Sequence, residues 1–372
     1  MKKQFILPDF TKSNLNITAT LAEFLGAPNK NATLPILKAE LAKGYKNIIY
    51  MIIDGMGIHP LMRNFGPNNF LRRNIKQTLV STFPSATAVA TTALRTNTLP
   101  LENGWLGGLI YFDDIDKTVQ VLRSLDYLTK QPVDISHEPL TPRNFFFDDA
   151  HTDYAINTVL PPYVQTNHNK NDYVFPEFEF QKGITKLQQI CKRPGKQFIY
   201  YYYHDPDRTM HRCGVCGKEA KTLLNEISNS IEWLYKNTKD TLIILTSDHG
   251  HIDIKGHIAM YKDKQIMSLL ETPLYLEDLA VAFRVKKGCK TQFVELFNKK
   301  YGKYLKLFKT KDLINRGFFG NRGDKGDILG DYIACSNYEH RQVLLNEKIH
   351  INKGGHGSLT EDMEVPLILI GN

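Results

Sequence analysis

The sequence predicts an α/β fold in which helices cover both faces of a mostly parallel β-sheet. The main observation is a set of three short, almost entirely apolar runs: Asn47–Ile53, Gln197–Tyr203 and Thr241–Thr246. Their length and their β-branched or aromatic content are typical of strands that are buried on both faces. Between the second and third runs, the pattern predicts an amphipathic helix over 218–239, because apolar residues recur there every three or four positions. The residues of that apolar face are Leu223, Ile227, Ile231 and Leu234.

The remaining sequence adds an insertion to this core. The chain has 372 residues, of which 42% are hydrophobic, so it can form one large domain or one domain with a sizeable insertion. After position 251 the apolar pattern loosens, and a stretch rich in glycine and charge follows at 317–330. We therefore expect a core at 1–254 and 346–372, with a smaller α+β cap inserted at 255–345.

The charge, the apolar runs and the cysteine content bear on the partners and the cellular compartment of the protein. The net charge is +8, but the 47 basic and 39 acidic residues are mixed along the chain, so we expect no nucleic-acid partner. The N-terminal apolar stretch is interrupted at Pro8 and Asp9, and no run is long enough to span a membrane, so we expect a cytoplasmic protein without a membrane partner. The five cysteines form no disulfide framework, and Cys213 and Cys216 are interpreted as part of a packed loop.

Acidic and histidine residues follow each of the three apolar runs. Because ligands bind beyond the carboxyl ends of the strands in an open α/β sheet, these side chains should meet at one edge. Aspartate and histidine together are ligands suited to zinc or manganese. An aspartate before a glycine is often only a turn, but four such motifs in one chain indicate a metal site. The candidate ligands are Asp54, Asp207, His211, Asp248, His249 and His356.

A second feature is a hydroxyl-rich segment, residues 81–94, in which Pro84 precedes a helix of small residues. A hydroxyl in the first turn of that helix would lie where free backbone N–H groups and the helix dipole stabilise a phosphate. Thr87 has this position. The alternative is a hydroxyl that only caps the helix, and Ser85 is the candidate for the cap.

In this order, the motifs resemble the alkaline-phosphatase superfamily, and within it the nucleotide pyrophosphatases and type I phosphodiesterases. The motifs are DGMG after a strand, FPSAT before the small-residue helix, NGWLG, DPDRTMH, SDHGH and a late GGHG. The resemblance extends from about position 46 to the C-terminus, apart from the insertion. It implies a three-layer αβα core of the alkaline-phosphatase type with a mostly parallel central sheet.

The resemblance also implies two metal sites and a covalent mechanism. Asp54, Asp248 and His249 would hold one divalent ion together with Thr87, while the other ion, also zinc or manganese, would be held by Asp207, His211 and His356. Thr87 would be the nucleophile and form a phospho- or nucleotidyl-threonine, because it stands nine residues before Thr96, as in family members. Thr82 is the second candidate, because some relatives carry the nucleophilic threonine directly before Phe-Pro.

Two positions depart from the family pattern. Asn103 stands where many relatives have histidine, and Gly108 stands where nucleotide-cleaving relatives have an asparagine that contacts the phosphoryl oxygen. Phe83 and Trp105 lie on either side of Thr87 in the sequence and are expected to line the substrate pocket. The tyrosines at 200–203 are expected in the core. Three further histidines near the motifs are given no ligand role: His204, His251 and His257.

We expect a metal-dependent hydrolase of phosphodiester or nucleotide pyrophosphate bonds that acts on a small phosphate ester or nucleotide. A phosphomonoesterase or a phosphonate hydrolase of the same superfamily is the alternative. A catalytically silent relative that binds a metal or a partner is the alternative from another functional class. The sequence does not indicate which oligomeric state the protein adopts.

Overall fold

The computed structural model describes residues 4–162, 172–175, 179–347 and 350–372. Its helices are α1 (Leu15–Phe24), α2 (Pro35–Leu41), α3 (Ile58–Asn64), α4 (Phe70–Arg73), α5 (Thr87–Thr96), α6 (Pro100–Asn103), α7 (Phe180–Cys191), α8 (Asp207–Cys213), α9 (Lys218–Lys236), α10 (Lys264–Met267), α11 (Lys290–Tyr301) and α12 (Thr310–Asn315). Short 3-10 helices lie at Asp113–Ile115, Met260–Lys262, Lys325–Leu329 and Glu361–Met363.

The strands form two large sheets and two short pairs. In chain order they are β1 (Asn47–Ile53), β2 (Ile75–Val80), β3 (Leu109–Phe112), β4 (Lys117–Gln120), β5 (Leu125–Asp126), β6 (Ala155–Leu160), β7 (Asp172–Val174), β8 (Gln197–Tyr203), β9 (Thr241–Thr246), β10 (Ile252–Asp253), β11 (Gly256–Ile258), β12 (Tyr275–Leu276), β13 (Ala280–Phe283), β14 (Leu305–Lys309), β15 (Tyr332–Ser336), β16 (Arg341–Val343), β17 (Gly354–Gly355) and β18 (Glu364–Gly371).

The central sheet contains the three predicted strands side by side. Its order is β2-β18-β9-β1-β8-β6-β7, and the five strands from β9 to β7 are parallel. Strand β18 runs antiparallel to both of its neighbours. Asn47 at the start of β1 lies opposite Gln197 and Thr241, so the three predicted strands begin and end together. The prediction of a mostly parallel central sheet is confirmed.

Helices cover both faces of this sheet because the residues of β1 and β8 alternate between two apolar clusters. Tyr50 and Tyr202 pack on the face covered by α1 and α2, whereas Met51 and Tyr201 pack on the face covered by α7 and α9. The run of four tyrosines is therefore core, as predicted, and the layers are helix, sheet and helix. Helix α9 ends three residues earlier than predicted, and Leu224 is fully buried where the predicted Leu223 is only partly buried.

The second large sheet is antiparallel, in the order β14-β15-β13-β12-β3-β4-β5. Helix α11 packs on it through Phe293 and Phe297, which gives this part an α+β character. Four of its strands come from the segment predicted as an insertion. The other three come from residues 109–126, which the sequence analysis assigned to the core, and they join through the pairing of Leu276 with Leu109. The division of the chain into a core and a cap inserted at 255–345 stays a prediction.

Among the described residues, no helix combines the length and the apolar character needed to cross a membrane.

Candidate metal centre and active site

The central sheet brings three of the four motifs to one edge. Asp54 directly follows β1, Asp248 and His249 follow β9, and Asp207 begins α8 just after β8. Since β9, β1 and β8 are adjacent and parallel, their carboxyl ends lie together and the side chains that follow them converge. This is the convergence that the sequence analysis predicts.

The late glycine-rich motif reaches the same edge through a short strand pair. Strand β17 pairs antiparallel with β10, which follows His251, and so places His356 beside the other motifs. His356 Nδ1 lies 2.9 Å from the carbonyl oxygen of Ser85. The Ser85 hydroxyl donates to Asp362 Oδ2 at 2.7 Å and accepts the N–H of Gly357 at 3.1 Å. Ser85 therefore connects the nucleophile segment to the GGHG loop.

The interpretation of Ser85 as a helix cap is wrong. Helix α5 begins at Thr87, its N-cap residue is Ala86, and no side chain accepts a hydrogen bond from its first turn as a cap. Ser85 lies one residue too early for a capping role, because a capping side chain belongs to the residue that immediately precedes the helix.

Three histidines share one hydrogen-bonding pattern. Nδ1 of His249 contacts the Gly250 carbonyl oxygen at 2.9 Å, and Nδ1 of His211 contacts that of Gly354 at 3.0 Å. His356 makes the equivalent contact to Ser85. Because a carbonyl oxygen only accepts, each Nδ1 carries a proton, so that Nε2 is the nitrogen of each ring that could bind a metal ion. Such an arrangement is typical of metal-binding histidines, whose second nitrogen is fixed by a backbone carbonyl.

The first group of possible ligands consists of Asp54, Asp248 and His249, all buried, with ligand atoms within 4.8 Å of one another. His249 Nε2 lies 3.3 Å from Asp54 Oδ1 and 3.5 Å from Asp248 Oδ2. Among the described residues, neither of these carboxylate oxygens has a hydrogen-bond partner. Burial, with the nearby Asp248 and Asp207, raises the pKa of Asp54 well above its usual range. Buried carboxylates in this state fit a divalent cation, which would supply the missing positive charge.

Thr87 lies at this first group, as its position at the start of α5 allows. Its Oγ1 is 3.1 Å from His249 Nε2 and 3.5 Å from Asp54 Oδ2. The same Asp54 oxygen accepts a hydrogen bond from the hydroxyl of Tyr202, a residue of β8, the strand beside β1. Thr82, by contrast, is fully buried, and its hydroxyl donates only to the Pro84 carbonyl oxygen at 3.5 Å. The geometry therefore favours Thr87 over Thr82 as a nucleophile.

The second group surrounds Asp207, whose Oδ1 has no hydrogen-bond partner among the described residues. Nε2 of His211 and Nε2 of His356 each lie 3.5 Å from this oxygen. Burial opposes ionisation, but the imidazoles of His211, His356 and His251 hold the pKa of Asp207 well below its usual range. Burial also holds the pKa of His356 well below its usual value, so the ring is neutral and available as a ligand.

The sequence model of the type I phosphodiesterase / nucleotide pyrophosphatase family matches residues 48–352, which is more than half of the chain. The chain belongs to this family. No protein in the set of curated sequences matches the chain. The family match confirms the resemblance to the alkaline-phosphatase superfamily.

Solved structures show the same fold. An inactive variant of murine ectonucleotide pyrophosphatase/phosphodiesterase 5 in complex with AMP is similar with a TM-score of 0.62 and 16% identity, over 87% of both chains. The human protein of that name is similar with a TM-score of 0.61 and 16% identity, again over 87% of both chains. Phosphonoacetate hydrolase from Sinorhizobium meliloti, in complex with phosphonoformate, is similar with a TM-score of 0.62 and 14% identity, over 87% of this chain and 89% of that one.

His251 lies closer to the centre than the sequence analysis expects. Its ring is fully buried, and Nε2 is 3.1 Å from Asp207 Oδ1, nearer than His211 or His356. It forms a candidate ligand group with Asp207 and His211, while His356 is grouped with Asp207 and His249. The sequence contains a signal for His251 as a candidate ligand. Residues two apart in an extended chain lie on the same side, and His251 follows His249 by two positions.

We expect His251→Phe to weaken cation binding at the Asp207 group by about tenfold to a hundredfold, the usual cost of losing a residue that orients a ligand. The reason is that this buried imidazole is nearer to Asp207 Oδ1 than the imidazoles of His211 and His356 are. The measurement is the amount of zinc retained against a competing chelator, read by metal analysis. His257→Phe is the matched control, because His257 is exposed and lies outside all candidate ligand groups of the described residues. Equal zinc retention by both variants would show that His251 does not support the centre.

The other expected pocket residues lie around the nucleophile segment. The Phe83 ring is fully buried against Phe318 and Phe319, so it is part of the core of the second sheet. Trp105 packs beside Ala88, the neighbour of Thr87, and its Nε1 donates to the Thr141 carbonyl oxygen at 3.0 Å. The role of both in substrate binding stays a prediction.

The side chains of Asn103 and Cys213 make contacts within the protein that support the local structure. The Asn103 side chain is fully buried, where it accepts the N–H of Trp105 at 2.8 Å and donates to Thr98 Oγ1 at 3.1 Å. Cys213 packs against Met210, Val215 and Ala220 at the end of α8. Neither Cys213 nor Cys216 belongs to a candidate ligand group of the described residues.

Proposed function

We propose that this protein hydrolyses phosphodiester bonds, that it depends on two divalent cations, and that Thr87 is its covalent nucleophile. One observation carries the proposal: the Thr87 hydroxyl lies 3.1 Å from His249 Nε2, at a group of buried carboxylates whose oxygens Asp54 Oδ1 and Asp248 Oδ2 have no partner among the described residues. Membership of the type I phosphodiesterase / nucleotide pyrophosphatase family supports the same reaction class.

Six residues would hold the cations. Asp54, Asp248 and His249 would bind one beside Thr87. The other cation would be bound by Asp207, His211 and His356. Mixed nitrogen and oxygen donors suit zinc, with manganese as the alternative. When bound, the two cations would lower the pKa of the nucleophilic hydroxyl and neutralise charge on the attacking and leaving oxygens.

The chain's own groups would then carry out two displacements at phosphorus. Thr87 Oγ1 attacks phosphorus in line with the leaving oxygen, so the bond from threonine oxygen to phosphorus forms as the bond to the leaving group breaks. The N-terminus of α5, where Thr87 is the first residue, directs its free backbone N–H groups toward the phosphoryl oxygens. Water then attacks the phosphothreonine from the side that the leaving group vacated, which releases the product and restores the hydroxyl. Two inversions give overall retention at phosphorus.

The substrate proposed is a small phosphodiester or nucleotide. The murine relative of similar fold was solved with AMP, which agrees with a nucleotide-sized ligand. Phosphonate hydrolysis is the second candidate. It is favoured by Gly108, which has no side chain where nucleotide-cleaving relatives carry an asparagine, and by the similar fold of phosphonoacetate hydrolase.

The test is a comparison of substrates with protein that has been stripped of metal and refilled with zinc or manganese. We expect bis-p-nitrophenyl phosphate and a p-nitrophenyl ester of a nucleoside 5′-monophosphate to be hydrolysed faster than p-nitrophenyl phosphate, and phosphonoacetate to be hydrolysed least. Preference for the monoester would move the function to a phosphatase, and preference for phosphonoacetate to a phosphonate hydrolase. Failure to hydrolyse any of them with either metal would support a silent relative that only binds.

A further inference from the structure

An arginine side chain contacts α5 one helical turn after the proposed nucleophile. Arg143 Nη2 donates to Thr91 Oγ1 at 2.9 Å, and the Thr91 hydroxyl in turn donates to the backbone carbonyl oxygen of Thr87 at 2.6 Å. Residues four apart lie on the same face of a helix, so Thr91 lies on the face of α5 from which Thr87 Oγ1 approaches His249. The Arg143 guanidinium therefore lies on the side of α5 that faces the candidate metal centre.

The ring of Trp105 fixes the guanidinium from a second direction. The guanidinium carbon of Arg143 lies 5.2 Å from the centroid of this ring, which also packs beside Ala88, the neighbour of Thr87. Stacking on an aromatic ring orients a guanidinium but occupies none of its N–H groups. Arg143 is thus held beside the nucleophile segment by contacts that leave most of its hydrogen-bonding capacity unused.

The positive charge of Arg143 is not paired with a carboxylate of any described residue. Its buried Nε has no hydrogen-bond partner there, and one of its five N–H groups, the donor to Thr91, is used. Burial, together with the charge of Arg95, lowers the pKa of Arg143 to about 10, so the guanidinium is protonated at neutral pH. A buried charge is costly without an opposite charge, and a guanidinium can bind a carboxylate or a phosphate through two N–H groups at once. The side chain is only half-buried, so an anionic ligand can reach it.

A lysine adds a second positive charge near the same ring. Lys325 Nζ donates to Thr141 Oγ1 at 3.0 Å, and the carbonyl oxygen of Thr141 accepts the Nε1–H of Trp105 at 3.0 Å. Within the described part of the chain, Lys325 forms no ion pair either. Two cations without a carboxylate partner therefore lie around Trp105, which favours an anionic ligand at this place.

We propose that Arg143 is a specificity determinant of this centre: it binds a second anionic group of the substrate, a carboxylate or a phosphate, while the phosphoryl group under attack lies at Thr87. The preferred substrates would then be phosphodiesters that carry a further oxyanion, and simple alkyl or aryl diesters would be poorer. This inference rests on the proposed function, because it concerns the substrate of the same centre. An arginine with a purely structural role would not distinguish ligands by their charge.

The test measures binding, so its result does not depend on turnover. Isothermal titration calorimetry gives the Kd of the protein, loaded with zinc or manganese, for methylphosphonate, 3-phosphonopropionate, its neutral carboxamide and ethylene-1,2-bisphosphonate. These ligands share a phosphonate and differ in the second group, which is absent, a carboxylate, an uncharged amide or another phosphonate. Arg143→Met removes the charge and keeps an unbranched side chain beside Trp105. Arg316→Met is the control, because Arg316 is exposed and also lies over an aromatic ring, that of Phe318, at 4.9 Å.

We expect the unaltered protein to bind 3-phosphonopropionate or the bisphosphonate about tenfold more tightly than the carboxamide, the size of one charge-assisted hydrogen-bonded contact. The tighter of the two identifies the anion as a carboxylate or a phosphate. Arg143→Met should remove the preference and leave the Kd for methylphosphonate within about threefold, because a second group that binds separately adds independently. Arg316→Met should change neither. The melting temperature and metal content of each variant show whether it is folded and loaded.

Three results would overturn the inference and leave the proposed function intact, provided that bis-p-nitrophenyl phosphate is hydrolysed. The first is an unaltered protein that binds the charged ligands and the carboxamide equally. The second is a folded, metal-loaded Arg143→Met that keeps the preference. The third is an equal loss of affinity for all the phosphonates in Arg143→Met, which would assign Arg143 to the phosphoryl group itself. Failure of the unaltered protein to bind any phosphonate with either metal, and to hydrolyse the diester, would overturn both.

Discussion

We expect replacement of Thr87 by alanine to reduce phosphodiester hydrolysis by about four orders of magnitude or more, the usual effect of removing a covalent nucleophile. The reason is that the Thr87 hydroxyl is at the first residue of α5 and 3.1 Å from His249 Nε2, where the phosphoryl group would be attacked. Thr82→Ala should leave kcat within about threefold, because its hydroxyl is fully buried and only weakly bonded to the Pro84 carbonyl oxygen. The measurement is kcat/KM for bis-p-nitrophenyl phosphate.

Two controls make this comparison decisive. Thr87→Ser keeps a hydroxyl at the same place and should retain substantial activity, whereas alanine at that position should not. The melting temperature of each variant reports whether a loss of activity comes from unfolding, which matters most for the buried Thr82. Near-normal activity of Thr87→Ala, with loss of activity in a well-folded Thr82→Ala, would make Thr82 the nucleophile.

Removal of divalent metal should abolish activity and lower the melting temperature. Asp54 and Asp248 are buried beside each other, with carboxylate oxygens that have no hydrogen-bond partner among the described residues. A cation that binds only the folded state at a hundred times its Kd stabilises that state by about 2.7 kcal/mol, which corresponds to several degrees in the melting temperature of a protein of this size. The measurement is thermal unfolding of stripped protein with and without added zinc or manganese.

Asp54→Asn is the matched variant for this prediction. It removes one of the buried negative charges, so the metal-free form should lose less stability, and added metal should raise its melting temperature by less than in the unaltered protein. A stripped protein that keeps full activity, or a melting temperature that neither metal changes, would contradict a metal-dependent centre.

The sequence predicts the central sheet because three of its strands are almost entirely apolar runs of six or seven residues, typical of strands that are buried on both faces. It also predicts the edge where the motifs meet, since parallel strands share the direction of their carboxyl ends. The sequence does not reveal that β3, β4 and β5 join the second sheet, because these strands are short, interrupted by charge, and pair through β12 with residues far away in the chain. Strand pairing between residues so far apart in the chain leaves no pattern in the local sequence from which it could be predicted.

The side chains that the sequence analysis missed owe their position to packing between motifs. Tyr202 resembles any other core residue of β8, but its hydroxyl reaches Asp54 at the end of the neighbouring strand. Glu277, which follows β12, belongs to no motif, and its turn packs against Gly107, Gly108 and Gly357 because glycines leave room for it there. The roles of the six candidate ligands and the cytoplasmic location stay predictions.

The most direct test of the central claim is to search for the covalent intermediate. Metal-loaded enzyme is mixed with an activated diester, quenched in acid during turnover, digested and analysed by mass spectrometry, with fragmentation to locate any added mass. The account predicts a phosphoryl ester adduct on Thr87 that is absent from Thr87→Ala and from metal-free protein. Continued turnover without any adduct, together with inversion at phosphorus, or an adduct on Thr82, would contradict it.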